Sequence, residues 1–435
     1  MSEKPSPERP RRLSHWINVG QEKKIHSLID KVYSKKNLEI AWEAVRKNGG
    51  TCGVDWQSIG DFEEKLDENL DQLHEELRTG KHKPQALRRV YIPKAGKKDE
   101  FRPLSIPAVR DRVCQQALSQ RMVQIFEPDM DESNFGYRKG RSPHDALRKV
   151  WREIQAGRVW IVDADLKDFF GSVSHSLLMQ LVTRRISDGR VLKLIEQMLR
   201  APIQEGNELT VPNQGTPQGG VVSPALSNVL LTPFDKEMRA RGYHLTRFAD
   251  DWVATCATRA EAKAALETAR KILNSLGVTL HPGKTRIVHV SKGFEFLGFV
   301  IRKGKKPMKL PAHRRTSGVR EGAVYAYPTN KSRERFKEQI RNLTKRKRPG
   351  PISQVIDDIN PVVRGWGNYY KKAHVRKLFH QLDGWVVRRL WAWRYKRWRN
   401  AGWRKYPTKR LRVELGLVGL VSLIPSLEHK YAHYS

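Results

Sequence analysis

Two adjacent acids, Asp250 and Asp251, have the arrangement in this sequence that is most suited to chemistry. Apolar and β-prone residues flank them in the run 246–255, a pattern that predicts a strand, a tight turn and a second strand. Adjacent carboxylates on a turn repel each other, and a cation bound between them relieves that repulsion. A hard divalent ion such as Mg²⁺ takes a few carboxylate oxygens together with substrate phosphates. Taken alone, the pair also fits an ordinary acidic hairpin turn.

A third carboxylate, Asp165, ends an apolar stretch that begins at Trp160 and is typical of a strand. If this strand lies beside the 246–255 hairpin, Asp165 can face Asp250 and Asp251. Three carboxylates would then hold two Mg²⁺ ions about 4 Å apart, with Mn²⁺ as a substitute. Such ions activate an attacking hydroxyl and stabilise a leaving pyrophosphate. The three acids therefore predict phosphoryl transfer by positioning and charge neutralisation.

A glycine-rich loop and two cations accompany the acids. Residues 214–220 contain three glycines and a proline, which fix a loop whose backbone can approach a ligand closely. Gln218 in this loop is a candidate to hydrogen-bond a nucleotide. Lys94 and Arg102 flank the tip of a predicted hairpin and could clamp a triphosphate. Taken alone, the loop fits a plain turn and the two cations fit a solvated charged loop.

The charge balance of the whole chain points to a polyanionic partner. The 435 residues include 82 Lys and Arg against 46 Asp and Glu, a formal net charge of +36. A hydrophobic content of 39% still supports globular cores, so the chain is not a disordered basic tail. Nucleic acid is the usual partner of such a protein, and an anionic membrane is the competing interpretation. No apolar run approaches the roughly 20 residues of a membrane-spanning helix, so we expect no membrane partner.

Cysteine usage and hydrophobic periodicity describe the rest of the chain. The widely spaced Cys52, Cys114 and Cys256 offer neither a disulfide framework nor a zinc-binding pair, so we expect an intracellular, reduced protein.

Periodicity predicts helices over 22–48, 62–77, 109–126, 175–200, 223–241 and 258–276, and strands over 88–94, 101–106, 160–165, 284–290 and 293–302. Composition changes after Lys303, where three amphipathic helices are predicted over 331–346, 351–372 and 375–399.

The last of these helices combines basic residues with tryptophans. Basic side chains interleaved with aromatic rings suit a helical unit that binds nucleic acid. The alternative is a solvated basic face with the tryptophans packed in a core. The candidate RNA-binding residues are Arg388, Arg389, Arg394, Lys396 and Arg397.

In this order the motifs resemble a reverse transcriptase, specifically the group II intron-encoded and intron-like bacterial lineage. The resemblance covers roughly residues 35–400, and its motifs together are far more specific than any one of them. The segments that carry it are 92–94 with 102–104, 135–142, 165–170, 214–220, 248–251, 281–285, 296–299 and 359–370.

The resemblance implies an α+β right-hand polymerase, made of fingers and palm, followed by an all-α thumb or maturase domain. The implied domains are a polar N-terminal segment, an N-terminal extension, the fingers and palm, the thumb or maturase domain, and a short basic C-terminal subdomain that is a reduced DNA-binding region. Their expected bounds are 1–34, 35–86, 87–303, 304–400 and 401–435. No endonuclease domain is expected.

The resemblance also assigns roles to individual residues. Asp165, Asp250 and Asp251 would be the catalytic metal ligands. Phe169 would be a steric gate against a ribose 2′-hydroxyl, and Lys284 would aid the departure of pyrophosphate. The full set of implied nucleotide-binding residues is Lys94, Arg102, Phe169, Gln218 and Lys284.

The implied function is an RNA-directed DNA polymerase of a group II intron, which binds its intron RNA to aid splicing and copies RNA into cDNA. Its partners would be an RNA template, a DNA or RNA primer, dNTPs and a structured intron RNA. We expect a cytoplasmic protein of bacterial type, associated with RNA or the nucleoid. Alternatives are an intron-derived enzyme with a host role in phage defence, repair or CRISPR arrays, and a splicing-only maturase. An RNA-dependent RNA polymerase is a further alternative, against which Phe169 argues.

Overall fold

The computed structural model describes residues 24–93, 100–304, 323–396 and 403–425. Two residues with predicted roles, Lys94 and Arg397, lie outside these ranges. The described residues fall into two compact units, the first ending at His289 and the second beginning at Val290. No helix in the described ranges is both long enough and apolar enough to cross a membrane.

The first unit contains eleven helices among its described residues. Several begin at a side-chain cap, and Ser58 and Ser142 each form a reciprocal capping box. The helices are α1 Ile29–Tyr33, α2 Lys35–Asn48, α3 Ile59–Glu64, α4 Leu66–Thr79, α5 Val109–Phe126, α6 Pro143–Gln155, α7 Phe169–Ser172, α8 His175–Val182, α9 Gly189–Leu199, α10 Ser223–Ala240 and α11 Arg259–Ser275.

Three of the predicted helices are interrupted. The predicted helix over 22–48 is divided at Ser34, the one over 62–77 at Lys65, and the one over 175–200 ahead of α9. Asp188 accounts for the last of these breaks, because its carboxylate accepts hydrogen bonds from the first backbone N–H groups of α9. The same carboxylate accepts from the backbone nitrogens of Leu28 and Ile29, both at 2.8 Å. Asp188 therefore ties the start of α1 to the start of α9.

Eight strands of the first unit form two sheets. The outer sheet has the order β2-β1-β4-β5, and the central sheet has the order β6-β7-β3-β8. Pairing is antiparallel throughout, except that β1 and β4 are parallel. The strands are β1 Leu87–Pro93, β2 Phe101–Ile106, β3 Trp160–Ala164, β4 Ile203–Glu205, β5 Glu208–Thr210, β6 His244–Phe248, β7 Asp251–Cys256 and β8 Arg286–His289.

The central sheet carries the predicted acids. β3 lies between β7 and β8, and its last bonded pair with β7 joins Ala164 to Trp252. Trp252 and Val162 are fully buried in the hydrophobic core, and helix α11 packs against β3 and β7. Burial of this face fixes the strand register, because a slip of one residue would turn the apolar side chains toward solvent.

The second unit combines a small antiparallel sheet with helices. The single strand predicted over 293–302 is in fact a hairpin, because Leu297 and Gly298 both adopt positive φ and form a two-residue turn. The three helices predicted after residue 330 are confirmed. The elements are β9 Phe294–Phe296, β10 Phe299–Lys303, β11 Val324–Pro328, α12 Asn330–Leu343, α13 Ile352–Tyr370, α14 Arg376–Tyr395 and α15 Thr408–Val413.

The apolar segment 415–423 packs back onto helices α13 and α14. Asp383 on α14 accepts hydrogen bonds from the backbone nitrogens of Leu420 at 2.7 Å and Val421 at 3.2 Å, and its carboxylate pairs with Arg412 at 3.1 Å. Asn360 on α13 makes two further backbone bonds, to Gly416 and Val418. Buried side chains therefore satisfy the backbone of this segment, as a folded unit requires.

We predict that Asp383→Ala destabilises the second unit by about 2 kcal/mol, because it leaves two backbone donors and one guanidinium without their partner. Chemical denaturation followed by tryptophan fluorescence measures this change. Asp357→Ala is the matched control, since Asp357 is exposed on α13 and its loss should change stability by less than about 0.5 kcal/mol. Equal stability of the two variants would contradict the prediction.

Candidate active site

The predicted acidic hairpin is present and closes in a two-residue turn. Phe248 pairs with Asp251, which leaves Ala249 and Asp250 as the turn residues. Ala249 has a φ of +60°, at a turn position where glycine is usual. A non-glycine residue in this region is strained and persists only where its surroundings hold it. The backbone directly before Asp250 is therefore strained.

The end of β3 brings Asp165 to this turn. Asp165 follows the last bonded pair of β3 and β7, so the register directs it to the position opposite Asp251. Burial raises the pKa of Asp250, and the negative charge of Asp165 raises it further. Positive charge on Arg102 and Arg247 opposes both effects. Asp165 and Asp250 thus lie close enough for their charges to interact. Arg102 is also close enough for its positive charge to act on Asp250.

Lys284 neutralises Asp165 in this structure. Its ammonium nitrogen lies 2.5 Å from Asp165 Oδ2, although the Lys284 side chain is 61% exposed. The backbone supports the contact, because the His281 nitrogen donates to the Asp165 carbonyl at 2.8 Å. The predicted nucleotide-binding Lys284 is therefore placed directly at a predicted metal ligand.

The carboxylates at this turn are candidate donors for a divalent ion. Among the residues that the structure describes, no three His, Cys, Asp or Glu side chains form a cluster that could hold a metal. Asp165 and Asp250 nevertheless supply the hard oxygen donors that Mg²⁺ prefers. Lys284 already compensates the charge of Asp165. Burial raises the pKa of Asp250, the charge of Asp165 raises it further, and a bound cation would counter both effects. The chemistry of these residues fits a divalent cation.

The glycine-rich loop is anchored to both neighbouring elements of the site. The Gln218 carbonyl accepts from the Ser105 nitrogen at 2.7 Å, and the Thr216 nitrogen donates to the Phe170 carbonyl at 2.7 Å. Gly219 has a φ of +107°, and an added Cβ would lie 2.9 Å from the Ser105 carbonyl oxygen, so this position requires glycine. The loop thereby holds the half-buried Gln218 between strand β2 and helix α7.

The two phenylalanines after Asp165 have different surroundings. Phe169 is only 3% exposed and belongs to the hydrophobic core, so its ring does not reach the surface of the site. Phe170 is half-buried, packs edge-on against Phe169 with ring centroids 5.1 Å apart, and carries the carbonyl that anchors the loop. Phe170 is therefore the aromatic residue of this pair that keeps accessible surface.

Tyr137 is a residue at the site to which the sequence analysis gave no role. It is 47% exposed and has a φ of +56°, so a large aromatic ring stands on strained backbone. Burial raises the pKa of Tyr137, the charge of Asp250 raises it further, and Arg102 opposes the shift. In the sequence, the signal for Tyr137 was an aromatic residue within the basic segment 135–142.

The predicted RNA-binding residues that the structure describes, on α14 and at its C-cap, separate into two groups. Arg388, Arg394 and Lys396 are exposed, and Lys396 also donates to the Arg346 carbonyl. Arg389 is half-buried and donates to the Thr344 hydroxyl at 3.0 Å and to the Thr344 carbonyl at 2.9 Å. Trp391 and Trp393 are buried, which supports the core interpretation for these two tryptophans.

The first unit thus combines a central antiparallel sheet, an acidic turn at its edge and an anchored glycine-rich loop. These features fit the fingers and palm of a nucleic acid polymerase. The family model described as reverse transcriptase (RNA-dependent DNA polymerase) matches residues 92–301. The model described as group II intron, maturase-specific domain matches residues 333–411.

Relatives of this chain agree with these matches. Protein YkfC of Escherichia coli is 33% identical over 68% of this chain and 88% of its own length. Group II intron-encoded protein LtrA of Lactococcus lactis subsp. cremoris is 34% identical over 45% of this chain and 32% of its own length. An uncharacterized 91 kDa protein in the cob intron of Schizosaccharomyces pombe is 26% identical over 85% of this chain and 53% of its own length.

The chain belongs to the group II intron type of reverse transcriptase and maturase, and it is an RNA-directed DNA polymerase. Enzymes with this domain generally use divalent metal ions. Nucleic acids, including an RNA template, are its partners.

Gly136 contacts the backbone of the acidic turn so closely that a side chain has no room. A Cβ added there would overlap the Ala249 nitrogen and lie 3.0 Å from Ala249 Cα. We predict that Gly136→Ala displaces Asp250 and slows primer extension about 100-fold, because small misplacements at a reacting centre have effects of this size. Gly189→Ala is the control, since nothing lies within 4 Å of its added Cβ. Equal extension rates for the two variants would refute the close packing.

Proposed function

We propose that this chain copies RNA into DNA by two-metal nucleotidyl transfer at Asp165, Asp250 and Asp251, with Mg²⁺ as the metal. We further propose that it binds a structured intron RNA and aids the splicing of that RNA. The first part rests on two observations. Lys284 pairs with Asp165, and the charges of Asp165 and Arg102 both act on Asp250. The maturase-specific domain in the same chain supports the second part.

Asp165, Asp250 and Asp251 would hold the two ions at the ends of β3 and β7. When bound, the ions would lower the pKa of the primer 3′-hydroxyl and neutralise charge on the triphosphate. The hydroxyl oxygen would attack the α-phosphorus of the dNTP as the bond to pyrophosphate breaks.

The protein side chains would supply the remaining charge and orientation. Arg102, exposed on β2 and within the field of Asp250, would bind the triphosphate. Lys284 would leave Asp165 on metal binding and place its ammonium near the departing pyrophosphate. Gln218 would contact the nucleotide from a loop that is hydrogen-bonded to both β2 and α7. Lys94, which the structure does not describe, stays a proposed phosphate ligand.

We assign the steric gate to Phe170 instead of Phe169. A gate must present its ring to the sugar, and the core position of Phe169 does not allow that. Phe170 keeps accessible surface and is linked through its carbonyl to the loop that carries Gln218. The ring of Phe170 would exclude a ribose 2′-hydroxyl and so favour deoxynucleotides.

The exposed cations of α14 and its C-cap would hold the RNA through its phosphates. Arg388, Arg394 and Lys396 point outward, whereas Arg389 is engaged with Thr344. Contacts of this kind position an RNA without reading its sequence. Arg397 is kept as a proposed member of the same set.

The central prediction concerns Asp250. Wild-type protein should extend oligo(dT) on poly(rA) with Mg²⁺ and dTTP, and Asp250→Ala should reduce extension about 1,000-fold or more, because it removes a charge-stabilising ligand. Asp163→Asn is the control, since Asp163 lies on the same strand but pairs with Arg286 at 2.8 Å. Its extension rate should stay within about threefold of wild type.

Two outcomes would contradict this proposal. Extension that survives in Asp250→Ala would remove the metal site from these residues. A folded wild type that promotes splicing of an intron RNA but adds no nucleotide would favour the splicing-only alternative.

The gate assignment makes a separate prediction. Phe170→Ala should raise the incorporation of rNTPs relative to dNTPs by about 10- to 100-fold, because the ring no longer fills the space of the 2′-hydroxyl. Phe169→Ala should instead destabilise the fold by about 3–5 kcal/mol and leave sugar selection unchanged. Single-nucleotide incorporation and thermal unfolding measure the two effects. Altered sugar selection in Phe169→Ala alone would return the gate to Phe169.

The electrostatic proposal predicts a change in salt dependence. Because each phosphate contact releases about one counterion, Arg388→Ala combined with Arg394→Ala should reduce the slope of log affinity against log salt by about 2 for duplex binding. Lys263→Ala with Lys271→Ala, which removes the same charge from exposed positions on α11, should leave the slope unchanged. Identical slopes for both double variants would show that α14 does not bind the duplex.

A further inference from the structure

A fully buried ion pair lies beneath the acidic turn. The guanidinium of Arg247 donates to Asp235 through two nitrogens, at 2.7 Å and 2.5 Å, and both side chains are 0% exposed. Removing two charges from water is unfavourable unless geometry and further hydrogen bonds compensate. Apolar residues of similar size often serve stability equally well, so stability alone is a weak reason for this pair.

The remaining guanidinium nitrogen of Arg247 reaches the turn itself. Its Nη1 donates to the carbonyl of Ala249 at 2.9 Å and to Asn228 Oδ1 at 3.2 Å. Ala249 is the strained turn residue, and its carbonyl carbon is bonded to the nitrogen of Asp250. The hydrogen bond to Arg247 therefore orients the peptide group from which the Asp250 side chain projects.

Asn228 extends the same network to the segment that precedes Tyr137. Its amide nitrogen donates to the Gly136 carbonyl at 2.9 Å, while its oxygen accepts from Asn134 at 3.0 Å. The backbone of Arg247 is also bonded to this segment, donating to the Ser133 carbonyl at 2.9 Å and accepting from the Phe135 nitrogen at 2.8 Å. Arg247 thus links the peptide before Asp250 and the peptide before Tyr137.

We infer that Arg247, oriented by Asp235, is a positioning residue that fixes Asp250 and Tyr137 relative to each other for nucleotide addition. It does not touch the substrate, because it is fully buried. A planar guanidinium suits this task, since its fork can grip a carboxylate and still donate in a third direction. The inference rests on the proposed role of Asp250. It adds that Arg247, a side chain outside the site, holds Asp250 in position.

The double variant Arg247→Met with Asp235→Leu separates positioning from stability. Because an apolar replacement of a buried ion pair is often neutral for stability, its thermal midpoint should stay within about 5 °C of wild type. Template–primer affinity should change less than about threefold, since no phosphate contact is lost. Nucleotide addition at saturating dTTP should slow about 100-fold, and half-saturating Mg²⁺ should rise, because Asp250 is misplaced.

A double variant that folds and adds nucleotide within about threefold of the wild-type rate would overturn the inference. If the double variant does not fold, Arg247→Lys provides the test. Lysine keeps the buried charge opposite Asp235, but a single ammonium group cannot also reproduce the forked grip and the bond to Ala249. Slow addition is expected for Arg247→Lys, and a wild-type rate would overturn the inference.

Asp250→Ala, measured in the same assay, distinguishes this inference from the proposed function. Activity in Asp250→Ala would refute the proposed metal site. Inactivity of Asp250→Ala beside full activity of the double variant would refute only the role of Arg247.

Discussion

Burial of the Asp250 carboxylate beside that of Asp165 is the constraint on which the candidate site depends. Burial raises the pKa of Asp250, and repulsion from Asp165 adds to this effect because the surrounding protein screens charge less than water does. Three cations offset the negative charge: Lys284 pairs with Asp165, Arg102 interacts with the charge of Asp250, and Arg247 lies beneath the turn. The pairing of β3 with β7 holds the two acids together. Carboxylates held in this way offer the hard oxygen donors that a divalent cation prefers.

Sequence predicted the parts of this arrangement that are local. The hairpin at Asp250 follows from residue alternation around a turn, and the helix over 109–126 follows from its periodicity. The break at Leu297 was missed because apolar residues continue through the turn of 293–302 and hide it. Phe169 and Phe170 are neighbours of the same type, and only the packing of a short helix distinguishes the buried ring from the accessible one. Arg247 was missed because an arginine in a strand is usually exposed, and its partner lies in the preceding helix.

The basic side chains of the second unit lie in two kinds of surroundings. Arg388 and Arg394 are exposed and available to a polyanion, whereas Arg389 and Arg412 support the fold through Thr344 and Asp383. Composition counts both kinds equally, so it predicts the class of partner but not the binding surface. The buried Trp391 and Trp393 show the same limit for aromatic residues, since their indole N–H groups donate to backbone carbonyls within the unit.

A crystal structure of the protein with an RNA template, a DNA primer, a non-hydrolysable dNTP and Mn²⁺ would test the central claim most directly. Anomalous scattering would locate the metal independently of any assumption about its ligands. The account predicts two Mn²⁺ peaks about 4 Å apart, bound by Asp165, Asp250 and Asp251, with Lys284 released from Asp165. Manganese bound elsewhere, or Lys284 still paired with Asp165 while nucleotide is in place, would contradict it.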